Sequence, residues 1–243
     1  MNKLKIQLEK FKILDGSWLK IIAVVSMLID HTAHMFKNTL PFLTTPVNIP
    51  FCENVTIYSI MRLFGRLAFP IFCFLIAEGF YYTRNRKKYG LNLFVFAIIS
   101  EIPFNLLSSY GKHFIYPKAQ NVYFTLFLGF LVLYILESKL NTLLKLIPTV
   151  FIIFVTFFAH IDYGLNGVLL IMILYYLRTN NAAKTIAAFP LLSGGYAAWS
   201  SFVFLNLYNG KRGFIKGNFA KYAFYAFYPI HILVLYFVLQ IIT

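Results

Sequence analysis

Residues 17–36 read SWLKIIAVVSMLIDHTAHMF, a length that matches one membrane crossing. A straight transmembrane helix needs about 20 mainly apolar residues, and this stretch supplies them from Ser17 to Phe36. It also carries Asp30, His31 and His34, where hydrocarbon would surround them. An ionisable group at membrane depth costs at least about 2.5–3.5 kcal/mol on insertion scales. Three such groups within five positions point to a site as well as a span.

Working outward, the same character runs through the chain. Its 243 residues are 60% hydrophobic and 12% charged, with 28 Phe and 17 Tyr, and the mean hydropathy is +0.72. Soluble domains carry about 25% charged residues, so half that value indicates an integral membrane protein. Lys3, Lys5, Lys10 and Lys12 before an apolar run resemble the start of a signal peptide. The run is long for one, and no small-residue cleavage site follows, so a retained first span is expected. Cys52 and Cys73 are too few for a disulfide framework, and Cys73 is expected as a buried free thiol.

Apolar segments near 17–36, 58–82, 91–110, 122–137, 146–161, 165–178, 185–196, 198–208 and 223–242 predict an all-α protein of about nine transmembrane helices, eight to ten allowing for the Ser193-Gly194-Gly195 break. A tail over 1–16 precedes a single polytopic domain over 17–243. Placing the tail and every second loop in the cytoplasm gathers sixteen of the 22 cations there. They are Lys3, Lys5, Lys10, Lys12, Arg84, Arg86, Lys87, Lys88, Lys139, Lys145, Arg178, Lys184, Lys211, Arg212, Lys216 and Lys221. The opposite loops keep Lys37, Lys112 and Lys118. This positive-inside asymmetry predicts a cytoplasmic N-terminus, and it accounts for the +14 net charge without nucleic acid.

Orientation gives each polar residue a depth. Asp30, His31, His34, Arg62, Arg66, Asn105, Asn121, Thr125, His160, Asp162 and Asn166 fall in the outer half, with Glu101 and His231 near the middle of their spans, which predicts a polar cavity open to the outside. Helical spacing lets Asp30 reach His34 better than His31, because residues four apart share a face. Arg62 and Arg66 share a face too, and must meet Asp30, Glu101 or a bound anion. Glu78 is expected to pair with the cations of the following TRNRKK run. A histidine beside a carboxylate serves equally as a general base or a proton relay. There is no HExxH metal spacing, GxSxG elbow or phosphate-cradling glycine loop. Acyl transfer, proton-coupled transport through Asp30, Glu101 and His231, and a non-catalytic assembly role all remain open at this point.

The segments LKIIAVVSMLIDH (19–31), FGRLAFPIFCFLIAEGF (64–80), TRNRKKY (83–89), ISEIPFN (99–105), NVYFTLFLG (121–129), DYGLNGVLLI (162–171), LYNGKRG (207–213) and FYAFYPIHIL (224–233) run in order along the chain. Together they resemble the TraX family, named for the conjugation protein that acetylates the N-terminus of F pilin and grouped with the transmembrane acyltransferases. The resemblance implies an acyltransferase-like bundle in a bacterial plasma membrane. It would move an acetyl or other acyl group from cytosolic acyl-CoA, as cosubstrate, to an acceptor on the other face: a peptide N-terminus, a sugar or a small amine. It implies His31 as catalytic base beside Asp30, with Arg66, Asn121, Glu101, Tyr163 and His231 in substrate or oxyanion binding. Asp30 would order a second helix through Arg66. Arg84, Arg86, Lys87, Lys88, Lys211 and Arg212 would hold the CoA phosphates, and no metal is implied.

Overall fold

The computed structural model describes residues 11–47 and 54–243. Lys3, Lys5, Lys10, most of the 1–16 tail, Pro50 and Cys52 lie outside the described residues. The first helix, α1 (Gly16–Phe36), starts where Asp15 caps it, its carboxylate accepting from the backbone N–H of Ser17 at 2.8 Å and Trp18 at 3.1 Å. Such a cap satisfies donors that the first helical turn leaves without partners. The next predicted span is two helices, α2 (Ile57–Gly65) and α3 (Ala68–Tyr82), which part at Arg66 and Leu67.

The third span begins earlier than its apolar run suggests, because Asn85 caps α4 (Arg86–Ile99). It bends by 47° at Ser100 into α5 (Glu101–Ser108). Three shorter apolar helices follow: α6 (Val122–Leu136), α7 (Thr142–Phe158) and α8 (Gly164–Tyr176). Asn121 and Asn141 cap the first two of these with side-chain acceptors.

Residues expected to form the seventh and eighth spans are instead divided among α9 (Asn181–Ala188), a 3-10 turn over Phe189–Leu191, α10 (Gly195–Trp199) and α11 (Ser201–Asn206). Pro190 removes a donor, and Gly195 at φ +58° takes a left-handed conformation that stops a continuous helix. The last helix, α12 (Gly217–Ile242), is unbroken. By length and composition α1, α2–α3 together and α12 are long and apolar enough to cross a membrane, with bent α4–α5 a fourth. The described residues are thus an all-helical membrane protein in which nine full-length crossings are not seen.

Helix α1 packs against α2, α3 and α12, while α8 lies against α3 and α6. Ile71, Cys73, Phe74 and Phe80 of α3 and Leu170, Ile171 and Leu174 of α8 are buried at the centre. Cys73 is a free thiol there. Small residues permit the close approach: a Cβ at Gly129 or Gly167 would overlap the Ile171 or Thr125 side chain. Helix α7 lies at the periphery, with Ile147, Phe151, Phe154 and Phe158 exposed.

One end of the bundle is organised around the start of α1. Gly16 N–H donates to the Lys211 carbonyl at 2.8 Å, and Ile215 N–H donates to Ser17 Oγ, also at 2.8 Å. These bonds bring the segment before α12 onto the first turn of α1. Two long helices therefore start together and run side by side. At the same end Glu78 meets Arg178 (3.7 Å), not the 83–88 run, since Arg86 turns back over the Phe80 ring (4.1 Å). Lys184, expected in a solvated loop, is 2% exposed and sits 5.3 Å from the Phe74 ring centre.

Candidate active site

The common start of α1 and α12 sets the height of two histidines. His31 lies fifteen residues beyond Gly16 and His231 fourteen beyond Gly217. At about 1.5 Å per residue, each stands roughly 21–22 Å along its helix. The imidazoles meet there: His31 Nδ1 is 2.8 Å from His231 Nε2, with ring planes 9° apart. His231 Nδ1 lies 2.6 Å from the Phe227 carbonyl oxygen.

This chain assigns the protons. A carbonyl oxygen only accepts, so His231 Nδ1 carries hydrogen and donates to Phe227. With one proton per ring, His231 Nε2 is an acceptor, and His31 Nδ1–H donates to it. The lone pair of His31 is then on Nε2, outside the relay. Pro229 contributes to the surrounding rigidity. It has no N–H for the Tyr225 carbonyl four residues back, and the Tyr123 hydroxyl donates to that oxygen instead at 3.0 Å. Tyr228 packs edge-on against both imidazoles.

Asp30 turns to the other side of α1. Its Oδ2 accepts from Arg62 Nη1 at 2.5 Å. The expected partner was Arg66, which instead sits one turn further, at the break between α2 and α3. A Cβ on Gly65 would collide with the Asp30 carboxylate, so the bare glycine makes room for this pair. Asp30 and His34 do not bond, although they share a face. Asp30 Oδ1 and His34 Nδ1 are both buried without a hydrogen-bond partner, and the His34 ring stacks on Tyr110 at 4.7 Å.

Glu101 and Asn121 bond to each other and not to the histidines. Asn121 Nδ2 donates to Glu101 Oε2 at 2.6 Å and to the Ala97 carbonyl at 2.8 Å. Its Oδ1 accepts from Tyr123 N–H at 3.0 Å. Every polar atom of this side chain is thus engaged in joining α4, α5 and α6.

Nearby, the segment before α8 is bent by left-handed residues His160 and Tyr163, at φ +48° and +62°. Non-glycine residues rarely hold this conformation. Here it is fixed by pairing of Asp162 N–H with the Gln120 carbonyl (3.0 Å) and by a bond from the Thr125 hydroxyl to the Asp162 carbonyl. The Tyr163 ring stacks on Phe69 with centroids 3.5 Å apart. Burial, and then the Asp30 charge, push the Asp162 carboxyl up to about 6.

Of the expected phosphate-binding cations, Arg84, Lys87, Lys88, Lys211 and Arg212 are exposed at the end where α1 starts, and Arg86 is half-buried on Phe80. Arg62 belongs to the histidine–aspartate cluster, as its spacing allowed, while Tyr228 and Tyr110 also belong to it but were not assigned there from sequence. Tyr228 had a readable signal, three positions from His231 on one helical face.

The order of the segments that carry the resemblance agrees with the comparisons. The TraX protein family model matches residues 15–239. The chain belongs to the TraX family. It is 31% identical over 246 residues to a probable fimbrial assembly protein FimC (serogroup H1) of Dichelobacter nodosus, covering 89% of this chain and 92% of that relative. No solved structure matches. The TraX match spans every helix that contributes to the site, from the Asp15 cap of α1 to the His231 turn of α12.

Proposed function

We infer that this TraX-family protein is a membrane acyltransferase that moves an acetyl or other acyl group from acyl-CoA to an acceptor amine or hydroxyl. The observation that carries the reading is the Phe227 carbonyl–His231–His31 relay, which leaves a basic nitrogen at His31 Nε2. In this mechanism Nε2 takes the proton of the acceptor amine as its nitrogen forms a bond to the thioester carbonyl carbon. The carbon–sulfur bond then breaks, its electron pair leaves on sulfur, and Nε2–H returns the proton to give the CoA thiol. His231 is a positioning residue, holding the His31 ring and spreading the transient positive charge. Asp30, bound to Arg62, fixes α1 against α2.

Positive-inside charge supports a cytoplasmic N-terminus in a bacterial plasma membrane, with about nine crossings if the short helices are counted. The donor then enters from the face that carries Arg84, Lys87, Lys88, Lys211 and Arg212, whose charge suits its phosphates. The resemblance to the pilin-acetylating TraX protein, together with a fimbrial assembly relative, favours a peptide amino terminus as acceptor. The test is thiol release from acetyl-CoA by the purified chain with amine acceptors. His31→Ala is expected to lower the rate about 10²–10⁴-fold; full turnover in that variant rejects His31 as base. Absence of acetyl-CoA binding by the unaltered chain rejects the reading altogether.

A further inference from the structure

One charged group near this site remains without a partner. Arg62 is engaged by Asp30, but among the described residues Arg66 makes no ion pair and no side-chain hydrogen bond. The nearest carboxylates are Asp30, already held by Arg62, and Asp162, which pairs with neither arginine. An arginine half-buried among apolar groups loses hydration that a bound counter-charge restores.

Arg66 also lines a cavity, with Phe69, Pro70, Tyr163, Leu192 and Gly194 among its walls. Its empty space, open mouth included, is about 210 Å³. The room it leaves for a water-sized group is about 10 Å³, so it takes the tip of one small polar group and not an entire acyl donor. Gly194 fits the arginine closely: a Cβ there would come within 3.0 Å of Arg66 Cδ. Phe69 and Tyr163 stack to form one rigid wall. A guanidinium in such a low-dielectric niche binds a carboxylate through two parallel N–H donors.

We propose that this cavity receives an anionic group of the acceptor, a carboxylate several bonds from the amine that is acylated, with Arg66 as the specificity-determining residue. The separation follows from the helix. Arg66 is four residues, about 6 Å along the axis, from Arg62, whose partner Asp30 precedes His31. An amine at His31 and a carboxylate at Arg66 therefore belong to an extended acceptor, such as a peptide with an acidic side chain near its amino terminus. The proposal rests on the acyltransferase reading for the word acceptor, while the anion site itself does not.

The test uses the purified full chain in phosphatidylcholine nanodiscs and two amidated tripeptides, Gly-Gly-Asp and Gly-Gly-Asn, which share an amine and differ in the carboxylate. Thermal stabilisation without acetyl-CoA measures binding alone. The acidic peptide is expected to bind at least about tenfold more tightly, as a charge-assisted hydrogen bond in a dry site implies. Arg66→Gln should bring the ratio to one, and Arg66→Lys should retain part of it. Ser193→Asp, which places a tethered carboxylate in the cavity wall, should abolish the preference without removing the arginine. Equal binding of the two peptides, or a preference that survives Arg66→Gln, overturns the proposal. If phosphatidylglycerol nanodiscs abolish the preference of the unaltered chain, the occupant is a lipid headgroup and the acceptor assignment is overturned. A binding preference without thiol release from acetyl-CoA rejects the acyltransferase reading and leaves the anion site standing.

Discussion

The bundle holds two polar clusters, one at each end of α3, and they are satisfied very differently. Where α3 ends, Glu78 has Arg178 at 3.7 Å, and the Arg178 guanidinium lies 3.2 Å from the centre of the Tyr81 ring. Arg86 rests on Phe80 and Lys184 on Phe74. Each cation there has a carboxylate or an aromatic face. Near the other end, Asp30 Oδ1 and His34 Nδ1 have no hydrogen-bond partner among the described residues. Arg66 is unpaired, and the hydrogen-bond chain leaves His31 Nε2 with a lone pair. Saturated polar groups hold helices together; groups with spare donors and acceptors can meet a substrate. The first cluster reads as a fastening and the second as the proposed reactive site.

The contrast breaks most sharply at His231. If the relay positions His31, His231→Ala lowers kcat per folded molecule about 10²-fold or more and shifts its pH profile, beyond the stability loss that truncating a buried side chain brings. An unchanged pH profile with lower stability would make His231 a packing residue. Next is Gly65→Ala, whose methyl collides with Asp30. Overpacking of this kind costs about 1–3 kcal/mol and should separate the Asp30–Arg62 pair, lowering both the thermal midpoint and thiol release. Glu78→Gln is the counterpart in the fastening cluster. It leaves Arg178 without its carboxylate, so the midpoint falls, by the equivalent of about 1–3 kcal/mol, while the rate per folded molecule is retained. Equal loss of rate in that variant would erase the distinction between the clusters.

The smallest effect concerns pH. Asp162 is raised from 3.8 to about 6, so its proton binds the folded protein more tightly than the unfolded chain. The stability from this group is complete below about pH 4 and is lost as pH rises through about 6. Asp162→Asn should flatten that part of the stability–pH curve, measured as thermal midpoint between pH 4 and 7.

Much of this arrangement was legible in residues 17–36. A single span's length carrying Asp30, His31 and His34 announced both membrane and site. Helical spacing correctly separated Asp30 from His31 onto different sides of α1. It failed for Asp30 and His34, because sharing a face permits contact without requiring it, and Arg62 offered Asp30 a full opposite charge. Spacing allowed either Arg62 or Arg66 to meet Asp30, and the structure pairs it with Arg62; the preference for Arg66 came from the family resemblance alone. The meeting of His31 with His231 was beyond sequence reasoning, since 200 residues separate them and only the docking of 211–215 on α1 aligns the two helices.

That docking makes the 209–217 junction a common datum from which two rulers are measured. Adding one residue between Gly217 and His231 would advance the second imidazole by about 1.5 Å and swing it by about 100°. Length in this family should therefore be locked across the first half of α12. Evolution can retune what surrounds the two imidazoles, but an insertion there disengages them in one step.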